Sequence, residues 1–300
     1  MLKISKKLQG IMALFWLATM TFLLSLMILV VYIISLVMPY TIRVKLIQFL
    51  SKSPFYWVIL NKPVLYKLNA KDWAKAYPKH LDSNGIYLVM SNHQSWSDII
   101  ILLSVFNQKI TPLKFFMKKE LAWQLPIIGL ACKAIGFPML SRHTKDAIKK
   151  NPKLKNKDKE STIQACASVK QNPSSLLIFP EGSRFTKKKQ THQDSPYQHL
   201  LKPKAGGVSM IVNGLKDDLR GILDVTIDFG QHPHHKKISL WNFVTGAFPS
   251  IQVTIELLPI HKNLQSNDEE DKEYRKVIHG WLSERWQMKD KQLSKKKSNE

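Results

Sequence analysis

Only two cysteines, Cys132 and Cys166, occur in 300 residues. A disulfide framework is excluded, and a metal site built on thiolates has too few ligands. Two reduced thiols remain as the plain reading. Acidic residues are scarce as well, 22 against 45 basic ones, for a net charge of +23. That surplus suits nucleic acid, an anionic membrane surface or acidic small molecules. Zinc-finger spacing, an RNP-type aromatic motif and a basic zipper are all missing, so no nucleic-acid partner is expected. No G-x-S-x-G elbow occurs, which removes the usual setting of a serine nucleophile. Cys132 lies in an apolar stretch with nothing to activate its thiol.

Charge is also absent from Ile11 to Met38. Those residues, at helical rise, extend roughly 42 Å, more than the ~30 Å hydrocarbon core of a bilayer. The expectation is an N-terminal transmembrane helix within residues 1–40. The run is too long for a cleaved signal peptide, and no small-x-small site follows it. Flanking charges balance: Lys3, Lys6 and Lys7 before, Arg43, Lys45 and Lys52 after. The basic remainder and the free thiols favour the cytoplasmic side of an inner (plasma) membrane for the rest of the chain. Residues 41–80 mix Phe55, Tyr56, Trp57 and Tyr66 with lysines, as an interfacial helical segment would, or as the first helix of a globular domain would.

What is present beyond residue 80 alternates strands with helices. Ile86–Met90 and Leu176–Phe179 are short apolar runs, the pattern of buried strands. Lys114–Met117 and Ile135–Leu140 are further strand candidates. Leu223–Phe229 and Ile251–Leu258 alternate as half-exposed strands do. Ile99–Phe106 and Glu160–Lys170 read as helices, and Ser141–Lys159, rich in lysine, as an exposed loop. The expected fold is α/β, a mixed sheet flanked by helices over 81–285, preceded by the transmembrane helix and followed by a disordered basic tail, 286–300.

Two constellations carry candidate chemistry, each just after a predicted buried strand. In Asn92-His93-Gln94-Ser95-Trp96-Ser97-Asp98, a turn into a helix can fold His93 back toward Asp98. A carboxylate on one imidazole nitrogen fixes the tautomer and leaves the other nitrogen free to take a proton. In Phe179-Pro180-Glu181-Gly182-Ser183-Arg184, glycine permits close backbone approach and arginine can grip a phosphate by two donors. Each spacing alone is a common accident. A metal site at His93 with His232, His234 and His235 is the weaker alternative to a solvated histidine loop, so no metal is expected.

Together these segments resemble the glycerolipid acyltransferase family, of the 1-acylglycerol-3-phosphate acyltransferase type. Its marks are N-H-x4-D, a G-x5-R segment and F-P-E-G-T-R, and they occur here in order: Asn92-His93 with Asp98, Gly136 to Arg142, and Phe179 to Arg184. Met117-Lys118-Lys119-Glu120-Leu121 and Pro126-Ile127-Ile128-Gly129 are similar to the connecting segment. The resemblance covers roughly residues 85–230. It implies that His93 is the base on the acceptor hydroxyl and Asp98 its orienting partner. Arg142, Glu181, Gly182, Ser183 and Arg184 would bind the glycerol phosphate, assisted by Lys118 and Lys119. The donor would be acyl-CoA or acyl-carrier protein, with no cofactor. Lysophosphatidic acid is the implied acceptor and phosphatidic acid the product. Ser183 stands where the family has Thr. The fourth family motif is not clear, Val225-Thr226-Ile227 being its nearest candidate. The long lysine-rich stretch after Ser141 is similar to the lysocardiolipin-acyltransferase branch, which leaves lysophosphatidylglycerol or lysocardiolipin open as acceptor. A non-catalytic protein that binds anionic lipid through its charge is the alternative from a different class.

Overall fold

A computed structural model describes residues 5–74, 76–140, 153–230, 238–248, 250–260, 264–266 and 272–298. The apolar N-terminal run forms α1, Lys6–Leu36, started by Ser5, whose hydroxyl accepts the Leu8 N–H. It is long and apolar enough to cross a membrane. It also rests on the rest of the molecule over much of its length. Gly10 lies against Trp241 and Thr245, where an added Cβ would come within 2.5 Å of the Thr245 methyl. Farther along, Trp16 donates to the Leu60 carbonyl and Thr21 accepts from the Trp57 indole. Leu24 and Ile28 join a cluster with Ala131, Ile135 and Phe137. The opposite side is bare, with Phe15 73% and Ile33 61% exposed. Three short helices follow: α2 Tyr40–Ser51, α3 Ser53–Leu60 and α4 Lys62–Lys67. They bury Leu50, Val58, Val64 and Leu65 and leave Tyr40, Phe49 and Tyr66 exposed.

The α/β domain has five principal strands: β1 Ile86–Ser91, β2 Leu113–Phe115, β5 Ser175–Ile178, β6 Leu219–Asp228 and β7 Gln252–Leu258. Their order is β2-β5-β1-β6-β7; the first four are parallel and β7 is antiparallel to β6. A two-residue parallel pair, β3 Met117–Lys118 and β4 Met139–Leu140, stands apart. The helices are α5 Ser97–Val105, α6 Lys119–Gln124, α7 Pro126–Ala134, α8 Lys153–Gln171, α9 Lys187–His192, α10 Ala205–Leu215, α11 Leu240–Val244 and α12 Lys272–Ser298.

Because strand side chains alternate, each central strand feeds both faces. Tyr87 and Val89 of β1, with Leu223, Val225 and Ile227 of β6, pack beneath α1, α3, α5 and α11. Leu88 and Met90, with Leu176 and Ile222, pack beneath α8, α10 and α12. The result is a sheet covered on both sides, the mixed α/β arrangement expected.

Four expectations need correction. Residues 286–300 were assigned to a disordered tail, but α12 runs unbroken from Lys272 to Ser298. Ile278, Leu282, Trp286 and Leu293 fall on one face of it and are buried; the many lysines around them masked that helical spacing. Lys289, also buried, places its ammonium 2.6 Å from Asp224 Oδ1 and donates to the Val225 carbonyl. Second, β6 is buried on both faces except at Arg220. Its polar positions face a cationic helix rather than water, Asp224 pairing with Arg285 at 2.8 Å as well as with Lys289. Third, only Met139 and Leu140 of the expected strand Ile135–Leu140 are extended, since α7 ends at Ala134 and a turn follows. Fourth, Lys153–Lys159 is helical, as the first part of α8, rather than loop.

Lys114 on β2 is 1% exposed, and its ammonium has no partner among the described residues. Burial lowers its pKa from the ordinary 10.5 to about 8. The native chain therefore holds fewer protons than the unfolded chain between those two values, and stability rises with pH across that window. Lys114→Met should raise the urea midpoint at pH 7, by on the order of 1–3 kcal/mol of unfolding free energy. It should also remove the gain that the wild type shows on going from pH 8 to 10. A lower midpoint for the variant would refute an unpaired ammonium at this position.

Candidate active site

The site forms at the C-terminal ends of adjacent parallel strands, β1 and β5, where side chains can be presented to a crevice. Asn92, fully buried, ends β1 by pairing with the neighbouring strand through its amide. Its Nδ2 donates to the Ile227 carbonyl (2.9 Å) and its Oδ1 accepts the Ile227 N–H (2.8 Å). This continues the β1–β6 ladder through a side chain just where the main chain must turn. The next residue, His93, then projects at the crevice with 15% of its side chain exposed.

The turn into α5 brings Asp98 beneath His93. His93 Nδ1 lies 2.8 Å from Asp98 Oδ2. The same oxygen accepts the Gln94 N–H (2.6 Å) and the Ser95 N–H (2.9 Å). Asp98 therefore pins the turn that precedes α5 and orients the imidazole with one oxygen. Burial raises the pKa of its carboxyl, and the His93 ring and the two N–H groups offset that only in part. Three donors converging on one oxygen is an arrangement for a carboxylate acceptor, with Nδ1–H as the third donor. Nε2 is then the basic nitrogen. The ring is held from one face as well: Phe179 stacks on it at 3.9 Å between centroids and 14° between planes.

The segment after β5 divides into two roles. Gly182, at φ +71°, turns the chain in the left-handed region that glycine enters freely. Gly182, Ser183 and Arg184 line a cleft of about 470 Å3 with His93, Phe115, Phe116 and Phe179. Glu181 faces the other way. It is fully buried, its Oε1 accepting the His93 N–H and its Oε2 the Leu201 N–H, both at 2.9 Å. Grouped with the phosphate ligands by resemblance, Glu181 instead sits behind the cleft and fixes the backbone of His93. Phe185 N–H adds a second tie, donating to the His93 carbonyl at 2.7 Å.

Of the other residues expected here, Lys119 is exposed on α6, whose Glu120 and Gln124 reach the cleft. Lys118 is placed by its backbone in β3. Arg142 and the histidines 232, 234 and 235 lie outside the described residues. Among the described residues no group of three or more His, Cys, Asp or Glu could hold a metal ion. Burial pushes the Cys132 thiol up to about 12, so it is no nucleophile near neutrality. Phe115 and Met117, which line the cleft, also pack with the α1 cluster, so α1 supports the wall. Sequence reasoning missed Phe179 as the platform under His93. A bulky ring directly after a strand gives no sign of which neighbour it covers. Trp96 was missed as well; its indole meets the Arg184 guanidinium at 5.3 Å.

A His–Asp pair with a free imidazole nitrogen, an adjacent Ser–Arg pair and no activated nucleophile is a site for proton removal beside an anion. The family model described as Acyltransferase matches residues 75–229. The chain belongs to this acyltransferase family. It is 26% identical over 240 residues to an uncharacterized acyltransferase of Saccharomyces cerevisiae, covering 69% of this chain and 57% of the relative. It is 25% identical over 230 residues to 1-acyl-sn-glycerol-3-phosphate acyltransferase delta of Bos taurus, covering 72% and 54%. To lysocardiolipin acyltransferase 1 of Danio rerio it is 22% identical over 226 residues, covering 69% and 52%. The match thus spans about half the length of these curated relatives.

Burial raises the Glu181 pKa from 4.5 to about 8, against the pull of its two N–H donors. Between those values the native state binds a proton that the unfolded state has released, so this group's contribution to stability falls as pH rises. Wild-type stability minus that of Glu181→Gln should fall from pH 5 to pH 8, by up to about 4 kcal/mol. Urea titrations of both proteins at several pH values check this. A difference that stays level with pH would show that Glu181 does not change its proton affinity on folding.

Proposed function

We propose that this protein transfers a fatty acyl group from a thioester donor, acyl-CoA or acyl-carrier protein, to the free hydroxyl of lysophosphatidic acid, forming phosphatidic acid. The observation that carries the reading is the His93–Asp98 pair, held from three sides, opening on the same cleft as Ser183 and Arg184. Arg184 suits the acceptor phosphate because its planar fork donates two bonds to one anion. Arg142, Lys118 and Lys119 are further cations for that phosphate. His93 Nε2 takes the hydroxyl proton as the oxygen attacks the thioester carbonyl. The tetrahedral intermediate collapses, the C–S bond breaks, and the imidazolium returns its proton to the leaving thiolate. Asp98 stabilises the imidazolium between those steps. No enzyme-bound acyl group and no metal is required.

Helix α1, with the exposed apolar faces of α2 and α3, holds the domain on a membrane, so the acceptor reaches the cleft from the lipid phase. The charge of +23 suits an anionic leaflet, and the cytoplasmic side of the inner membrane is the setting proposed. A second reading keeps the reaction and changes the acceptor to lysophosphatidylglycerol or lysocardiolipin. The similarity to a relative named lysocardiolipin acyltransferase 1 favours keeping it in view.

Purified protein in lipid nanodiscs, given one acyl-CoA and a panel of lysophospholipids, tests both. Lysophosphatidic acid should be the best acceptor. His93→Ala should lower kcat by about 10²–10⁴ while leaving the thermal midpoint near the wild-type value. Near-wild-type turnover by His93→Ala would refute the mechanism, and a better lysocardiolipin substrate would select the second reading.

A further inference from the structure

The His93 cleft is one of two cavities that meet at a shared wall. On the far side of Trp96 and Arg184 lies a larger cavity of about 720 Å3, lined by Gln94, Phe185, Lys187, Asp228, Phe229 and Leu240 among others. Trp96, Arg184 and Lys189 line both cavities. At that wall the Arg184 guanidinium is laid over the Trp96 indole.

The acyl-transfer reading, on which this inference rests, requires two substrates at His93 together, each with a long arm that does not react. Small-molecule sites occupy about 300–1,000 Å3 apiece. The His93 cleft, at about 470 Å3, is the size of a site for one such partner. The second cavity is larger and differs in character. Lys187 lines this cavity and not the cleft, Arg184 and Lys189 stand at the wall the two share, and the rings of Trp96, Phe185 and Phe229 border it. Asp228 is the one acid among its described lining residues, and its Oδ1 already accepts the Gly230 N–H at 2.9 Å. Cations that can converge on phosphate, interleaved with flat apolar faces, match a phosphorylated carrier arm better than a neutral acyl chain.

We infer that this second cavity holds the phosphorylated, non-reacting arm of the thioester donor. That arm is a phosphopantetheine, alone or extended by a nucleotide as in coenzyme A. Lys187 meets its phosphates. The thioester then lies at the Trp96–Arg184 wall, facing His93, while the acceptor occupies the His93 cleft. The cleft lining does not include Lys187 or Ile238, so both can be altered without touching the acceptor side.

The test is steady-state kinetics of Lys187→Glu and Ile238→Trp with three donors of one chain length: acyl-CoA, acyl-carrier protein and an acyl-pantetheine thioester lacking phosphate. Lys187→Glu should raise the acyl-CoA KM about tenfold or more, the equivalent of ~1.4 kcal/mol, while the acceptor KM holds and the phosphate-free donor is indifferent. An equal penalty on acyl-carrier protein assigns Lys187 to the phosphopantetheine phosphate; a penalty on acyl-CoA alone assigns it to the nucleotide phosphates. Ile238→Trp, which fills the cavity without changing charge, should raise KM for acyl-CoA and for the phosphate-free donor. Calorimetric titration with free coenzyme A should follow the same order without turnover. A rise in acceptor KM instead, or unchanged donor KM and coenzyme A binding in both variants, overturns the assignment. Failure of the wild type to acylate any lysophospholipid would overturn the acyl-transfer reading itself, and is distinguishable because coenzyme A binding is measured separately.

Discussion

The Glu181 carboxyl group is sealed from solvent, and each of its oxygens accepts one backbone N–H, from His93 on one side and Leu201 on the other. Through it the turn after β1, the turn after β5 and the loop before α10 are held as one piece. The same loop is tied to α12, where Asp290 accepts the N–H groups of Gln198 and His199 at 2.8 Å. It returns to the site through the His199 carbonyl, which accepts from the Gln94 amide. His93 is thus fixed by its own main chain, by its flanking residue and by the ring of Phe179 before any substrate arrives. A general base depends on such fixed geometry, since proton transfer requires hydrogen-bond distance and alignment. Glu181 is costly to bury, and the cost sits beside the one residue whose position matters most.

The His93–Asp98 pair became legible through its company, since its spacing alone is a common accident and only the motifs that follow in order behind a second buried strand single it out. The apolar runs of β1 and β5 were legible for the same reason that they are central: both faces are covered, so nothing interrupts the run. Other features were hidden by the ambiguity of polar residues. A carboxylate after a strand reads as ligand-facing, and nothing in Phe179–Arg184 tells that Glu181 points inward while Arg184 points out. Polar alternation in Leu223–Phe229 reads as a wet face, although Asp224 meets Arg285 and Lys289 across a dry one. The lysines of α12 obscured its apolar spacing in turn. These are pairings between positions some 60 residues apart, which local pattern does not show.

The buried charges fall into two kinds. Asp224 and Glu256 together balance Arg285 and Lys289, and the cluster seats α12 on the sheet by directional contacts as well as by the burial of Trp286. Removing one member would strand the others in a dry environment, a loss usually larger than the net contribution of the intact pair. Lys114 has no such compensation among the described residues. It marks a place where the fold tolerates an unfavourable group, on an outer strand whose neighbour β5 carries the turn of the active site.

The path from His93 to Glu181 to Leu201, and onward from His199 to Asp290, crosses sequence separations of 88, 20 and 91 residues. Contacts this far apart form only after large loops have closed. No fragment of the chain, however helical or extended by itself, assembles the imidazole, its carboxylate and the clamp behind them. The site is therefore complete only where distant parts of the chain have come together. A half-folded chain at the membrane surface has no means of drawing its reactants together.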